Sequence, residues 1–216
     1  LNFAAGTYYQ SPDLRVIGAH PGNRALSNEK SVHAILGLTR YIGDGLKLTL
    51  EGYYKTFDDL IAQADRSTTL RRNAGDGWAA GVDVGVVRRF VDDWYGQVNY
   101  SYAQSKRNDH DGLGAYNSDF NQPHVFNILV GYQLNDEWAF SSKWKYATGR
   151  PADDFIVHRD VFSNPNFLRF SKEIVGNNTR RLDDFHTFNV RVDFRKQLGR
   201  FAIVSFLDVL NVYNNS

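Results

Sequence analysis

Hydrophobic and polar residues alternate along most of the chain, in runs bounded by Gly, Asp, Asn and Pro. Residues 46–57 put Leu46, Leu48, Leu50 and Tyr54 on one side of an extended chain and Lys47, Thr49, Glu51 and Lys55 on the other. Residues 186–196 set Phe188, Val190, Val192 and Phe194 against Asn189, Arg191, Asp193 and Arg195. Residues 137–146 set Trp138, Phe140, Trp144 and Tyr146 against Glu137, Ser141, Lys143 and Lys145. Nine such runs predict strands at 1–9, 31–42, 46–60, 78–90, 94–105, 124–134, 137–148, 186–197 and 201–213. Neither parity of the last run is cleanly apolar. Most runs are about 10–14 residues long, against a mode of about 5–6 for globular strands.

The connections alternate in length. Short ones fall at 43–45, 91–93, 135–136 and 198–200, and long ones at 10–30, 61–77, 106–123 and 149–185. Ten residues at about 3.3 Å rise and about 45° tilt span roughly 23 Å, close to the ~25 Å apolar band of an outer-membrane barrel. Short turns on one rim and long loops on the other belong to the same architecture. The expected fold is therefore all-β, an antiparallel up-and-down transmembrane β-barrel segment of about nine long strands. A soluble sheet also alternates. The aromatics separate the two, because Trp94 and Trp138 lie beside short turns, where a membrane girdle would place them. The expectation is that Leu48, Leu50, Phe140, Trp144, Val190 and Val192 face lipid. Glu51, Lys143, Lys145, Arg191 and Asp193 then face the lumen.

Composition narrows the alternatives. The 25 Lys and Arg nearly cancel the 24 Asp and Glu, which argues against a nucleic-acid partner. There is no Cys, so disulfides, thiolate metal sites and Cys nucleophiles are excluded. No apolar run approaches the ~18 residues of a transmembrane helix, which leaves strands as the way across a membrane.

The stretch 100–151 resembles the barrel of TonB-dependent outer-membrane receptors. It carries Tyr100-Ser-Tyr-Ala-Gln-Ser-Lys106, Asp119-x-x-x-Pro123-His124 and Gly149-Arg150-Pro151. Gly6-Thr-Tyr-Tyr-Gln-Ser-Pro12 is similar to a strand rising into an outer loop. The run 206–214, with Asp208-x-x-Asn211-x-x-Asn214, is similar to the penultimate region of such barrels. The resemblance implies one partial barrel domain over 1–216, without the plug, the TonB-contacting segment or the closing aromatic-ended strand. Family barrels have about twenty-two strands, so a C-terminal piece of a longer barrel is expected. It also implies a function, namely active uptake of a scarce nutrient such as a metal chelate, cobalamin or an oligosaccharide. The expected place is the outer membrane of a Gram-negative bacterium. Expected partners are outer-membrane lipid, lipopolysaccharide, the nutrient, and the TonB complex through the missing N-terminal region. A passive porin or a barrel enzyme remains the alternative.

No catalytic constellation emerges, and no cofactor is expected. The run Gly75-Asp-Gly-Trp-Ala-Ala-Gly81 misses the dinucleotide spacing and reads as a loop entering a strand. Asp109 and Asp111 flank His110 without EF-hand spacing and read as a solvated loop. Ligand contact is instead expected on the long-loop rim, mainly in 149–185, the longest connection. Its candidate binding residues are Arg150, Asp154, His158, Arg159, Arg180 and Arg181, beside Phe155, Phe162, Phe167 and Phe170. Arg71-Arg72 and Arg180-Arg181 also suit anionic ligands or lipopolysaccharide phosphates.

Overall fold

The computed structural model describes residues 1–63, 68–161 and 168–214; Phe162 and Phe167 lie outside the described residues. Among the described residues there are twelve strands: β1 (Asn2–Gln10), β2 (Glu29–Ile42), β3 (Leu46–Gln63), β4 (Arg71–Val91), β5 (Trp94–Asn108), β6 (Tyr116–Asn117), β7 (His124–Gln133), β8 (Trp138–Ala147), β9 (Pro151–Val161), β10 (Leu168–Arg181), β11 (Phe185–Leu198) and β12 (Phe201–Val209). The main sheet runs β1-β2-β3-β4-β5-β7-β8-β11-β12, antiparallel throughout, and these are the nine predicted strands. The short β6 adds to β5. Strands β1 and β12 are the two edges, and the sheet is not closed.

The expected long loops need correcting. Residues 149–185 are not a plain loop, because β9 and β10 pair as a separate hairpin. Phe155, Ile156, Val157 and Val175 favour extended backbone, but all four are exposed, so no buried face imposed an alternation on the sequence. Strands β3 and β4 run to 18 and 21 residues through register shifts near Phe57, Leu60 and Ile61. Gly75–Gly77 therefore lies inside β4 rather than in a loop. The first connection folds into a short helix, α1 (Leu14–Ala19), and a 3-10 turn, Pro21–Ala25. Asn23 is fully buried there. Its amide donates to the Val16 and Thr69 carbonyls and its oxygen accepts from the Arg71 amide, which pins the segment against the start of β4.

The register gives the sheet two faces. Leu38, Leu50, Val84, Tyr100, Phe126 and Tyr146 lie opposite one another across six strands. Leu48, Phe140, Trp144, Val190, Val192 and Leu207 extend the same face. The opposite face carries Lys47, Glu51, Asp83, Gln97, Asn127, Lys143, Lys145, Arg191 and Asp193. The apolar face has no protein interior to meet. Ala62 is the one buried hydrophobic residue among the described residues, while Leu36, Leu50 and Leu207 are 54, 48 and 64% exposed. A continuous apolar surface of this extent is stable against lipid, not water.

Strand tilt follows from the register. The row Trp94–Tyr132–Phe140–Val192–Leu207 begins at the first residue of β5 and ends six residues into β12, counted from Phe201. Six residues at ~3.3 Å against four steps of ~4.8 Å give a tilt of about 45°, the geometry of a membrane barrel. Aromatic pairs mark both ends of the apolar face. Trp94–Tyr132 and Trp138–Phe194 sit by the short turns at 4.6 and 4.7 Å between ring centroids. Tyr100, Phe126, Trp144 and Tyr213 sit towards the other rim, with polar tips tied by Tyr100–His124 (2.9 Å) and Trp144–Tyr213 (3.0 Å) hydrogen bonds. The lumenal face of β12 explains its mixed alternation, since Phe206 lies under the Arg191 guanidinium at 4.2 Å.

Candidate functional site

The long-loop rim is organised by the root of the β9–β10 hairpin. Asn178 is 7% exposed, with φ of 50° at an interruption of the hairpin register. Asn tolerates this left-handed conformation better than most residues. Its amide donates to the Asn117 carbonyl (2.8 Å) and to Asp119 Oδ1 (2.7 Å), and its backbone N–H donates to Asp153 Oδ1 (3.1 Å). Arg181 donates from Nη1 to the carbonyls of Asn121 (2.8 Å) and Gly149 (3.0 Å), and from Nη2 to Asn121 Oδ1 (2.5 Å). Asp184 accepts from the Gly149 amide (2.9 Å) and the Tyr146 hydroxyl (2.5 Å). The hairpin is thereby fastened to the connection that precedes β7 and to the exit of β8.

Between this hairpin and the ends of β3–β5 lies a polar cavity of about 990 Å³. Asp109, Asp119, Asp153 and Glu173 line it, with Arg72, His110, Tyr116 and Lys172. Its walls are held by charge-assisted contacts. Asp109 accepts from Arg107 Nε (2.5 Å) and the Tyr116 hydroxyl (2.8 Å). His110 meets Asp76 at 2.5 Å, His158 meets Glu173 at 2.6 Å, and Lys172 Nζ stands 4.0 Å from the Phe155 ring centre. Burial, then the hydrogen bond to the Asp109 carboxylate, raises the Tyr116 phenol well above its ordinary range. Tyr116 therefore stays protonated and donates at any physiological pH. The cavity can offer a ligand a ring of carboxylates and two cations at the mouth of the lumen.

The six sequence candidates lie along the hairpin rather than around one point. Arg150, Arg180 and Arg181 are at its root, and Arg181 is engaged in fastening it. Asp154 is half-buried and accepts from the Phe155 amide (3.1 Å). His158 reaches the cavity through Glu173, and Arg159 is exposed opposite Phe170. Arg72, expected with Arg71 to suit an anionic ligand, lines the cavity, while Tyr116, Asp119, Asp153, Lys172 and Glu173 were not singled out as ligands. The Asp119-x-x-x-Pro123 motif and the Asp153-Asp154 pair were the available signals for two of them. Asp109, weighed as a cation ligand, is taken up by Arg107 and Tyr116.

The clasp at Asp184 is pH-sensitive. The Tyr146 hydroxyl and then the Gly149 amide hold its carboxyl below the ordinary value. A depressed carboxyl pKa contributes stability above the unfolded value of about 3.9 and loses it as pH falls through the folded value. Exchange of the Gly149 amide proton, compared with Asp184→Asn, should show wild-type protection at neutral pH that falls to the level of the variant only as the pH drops through the depressed folded value, beneath the ordinary carboxyl range. Equal protection at neutral pH would show that the clasp does not hold this amide.

A family model described as TonB dependent receptor-like, beta-barrel, matches residues 1–214. No curated protein matches the chain. Among solved structures, the siderophore receptor PiuA from Acinetobacter baumannii superposes with TM-score 0.70 at 11% identity, over 99% of this chain and 29% of its own. The ferric-catecholate import receptor Fiu from Escherichia coli gives 0.69 at 14%, over 99% and 28%. The FrpB iron transporter from Neisseria meningitidis gives 0.67 at 17%, over 99% and 32%. The chain thus spans about a third of the length of these structures.

Proposed function

The chain belongs to the TonB-dependent receptor β-barrel family of the Gram-negative outer membrane, and on that premise we propose that it supplies wall, lumen lining and outer loops to a receptor that actively imports a scarce nutrient. The carrying observation is the rim cavity, framed by a hairpin and opening over a polar sheet face. Among the candidate nutrients, a metal chelate is favoured over cobalamin or an oligosaccharide, because the similar structures are a siderophore receptor and importers of ferric catecholate and iron. Charged groups on both sides of the cavity suit a ligand bearing both charges and hydrogen-bonding groups. The TonB complex would act through parts of the parent outside this chain. Lipid and lipopolysaccharide would surround the wall.

Replacing 154–172 by a short Gly/Ser linker in the full-length parent tests the reading. The root residues Asp153, Asn178 and Arg181 remain, so insertion into membranes should survive. Removing Lys172, Phe155 and His158 should weaken binding of the transported chelate by at least about ten-fold, on the scale of one or two lost charged contacts. Unchanged binding and uptake would remove the hairpin from the site.

A further inference from the structure

The outward face carries charge only at its two ends. By register, Arg40 shares the face of Leu48 and Val86, Arg88 that of Leu46 and Ile42, and Lys196 that of Phe194 and Ile203. All three lie close to the short turns: Arg40 two residues before Ile42, Arg88 three before Val91, Lys196 two before Leu198. All three are cations. Between this level and the opposite rim, the outward face has no Asp, Glu, Lys or Arg among the described residues.

The three differ in how they are neutralised. Lys196 pairs with Glu137 at 3.5 Å. Among the described residues, Arg88 has one carboxylate partner, Asp92 at 3.7 Å, a turn residue 87% exposed on its side chain, and it also donates to the Val91 carbonyl (3.2 Å). Arg40 has no carboxylate partner among the described residues, and it is exposed. Arg40 and Arg88 flank β3. Two strand spacings and two residues of offset put their Cα atoms roughly 12 Å apart, which lets both guanidiniums reach one group midway. The surface between them is Leu46 and Leu48, continued away from the turns by Leu38, Leu50 and Val84 (49, 48 and 39% exposed).

We infer that Arg40 and Arg88 together bind the phosphate of an anionic phospholipid in the leaflet on the short-turn side, with an acyl chain laid over Leu48 and Leu50. A lipid is the occupant because the cations stand at the edge of the lipid-facing surface and an apolar track leads from them into the bilayer. Arg suits phosphate through its planar fork of donors. The inference rests on the family membership and the outward face, and not on nutrient uptake.

Trp94 reports on the site, because it begins β5 two residues from the partner of Arg88 and is 46% exposed. The full-length receptor is placed in phosphatidylcholine vesicles containing equal fractions of brominated phosphatidylglycerol or brominated phosphatidylcholine. Trp94 quenching is isolated by subtracting the Trp94→Phe signal. The brominated anionic lipid should be preferred roughly five-fold or more, the scale of one basic residue near an anionic surface. Arg40→Gln with Arg88→Gln should abolish the preference, and Arg40→Lys with Arg88→Lys should keep part of it. Equal quenching by the two lipids in the unsubstituted receptor overturns the inference without relying on any variant's folding. A preference that disappears with Lys196→Gln, or that survives the double Gln variant, overturns it as well.

Discussion

Val192→Arg in the full-length receptor should cost about 2–4 kcal/mol of folding stability in lipid, the penalty of a mid-bilayer cation on a barrel's outer face. Val192 lies between Phe140 and Leu207 on the apolar face. It stands six residues from the end of β11 at Leu198. At the tilt of the sheet that is roughly 14 Å above the short-turn rim, near the middle of a ~25 Å apolar band. A guanidinium there would have to reach past more than one turn of side chains to find water. Gln97→Arg is the control, because Gln97 lies on the polar face between Val87 and Leu129 and its replacement keeps access to the lumen. Urea titration of the receptor folded into vesicles would compare them. A lower midpoint for Gln97→Arg than for Val192→Arg would mean that the faces are assigned the wrong way round, and equal midpoints would mean that Val192 does not face lipid.

Gly149→Ala should release the hairpin. Gly149 is buried, and a Cβ there would fall on the Leu182 carbonyl and crowd that of Asp183. These are backbone atoms and cannot rotate away. The exit of β8 and the return of β10 would have to separate, and the bonds from Arg181 and to Asp184 would go with them. An overpacking cost of about 1–3 kcal/mol is expected, concentrated at the root rather than in the sheet. Limited proteolysis should cut within β9 sooner, and binding of the proposed chelate should weaken, while the barrel itself stays inserted. Gly18→Ala, where nothing stands within 4 Å of the added carbon, should leave both unchanged. If Gly149→Ala were as silent, the hairpin would not depend on this close approach.

The sheet was legible because lipid and lumen impose opposite chemistries on alternate residues. Leu48 and Lys47, or Val192 and Arg191, announce the two faces without any knowledge of partners. The aromatic ends were legible for the same reason, since Trp94 and Trp138 open β5 and β8 beside short turns. The hairpin was not. Its strands expose both faces, so Phe155 to Val157 read as a patch of apolar residues in a loop. The upper part of β3 and β4 was hidden by bulges that break the alternation near Leu60. Gly149-Arg150-Pro151 was visible as a motif, but the closeness of Leu182 that requires the glycine comes from a residue more than thirty positions away. The cavity depends on contacts of that range, such as Arg107 to the Ile61 carbonyl and Asn178 to Asp119, and local patterning carries no trace of them.

The fastened root also bears on how the wall assembles. Almost every strand of the main sheet pairs with its nearest neighbour in the chain across a modest connection, so each step of assembly closes a short segment. The join of β8 to β11 is the exception, because residues 148–184 intervene. Closing a loop of that length in an open chain costs entropy that grows with the logarithm of its length. Once β9 and β10 have zipped, only the few residues on either side of the root remain free. Shortening the effective segment from 37 residues to about six lowers the closure cost by roughly 1.5 kcal/mol. A hairpin formed before the β8–β11 join would therefore act as a folding clamp as well as a rim element, bringing the start of β11 close to the end of β8.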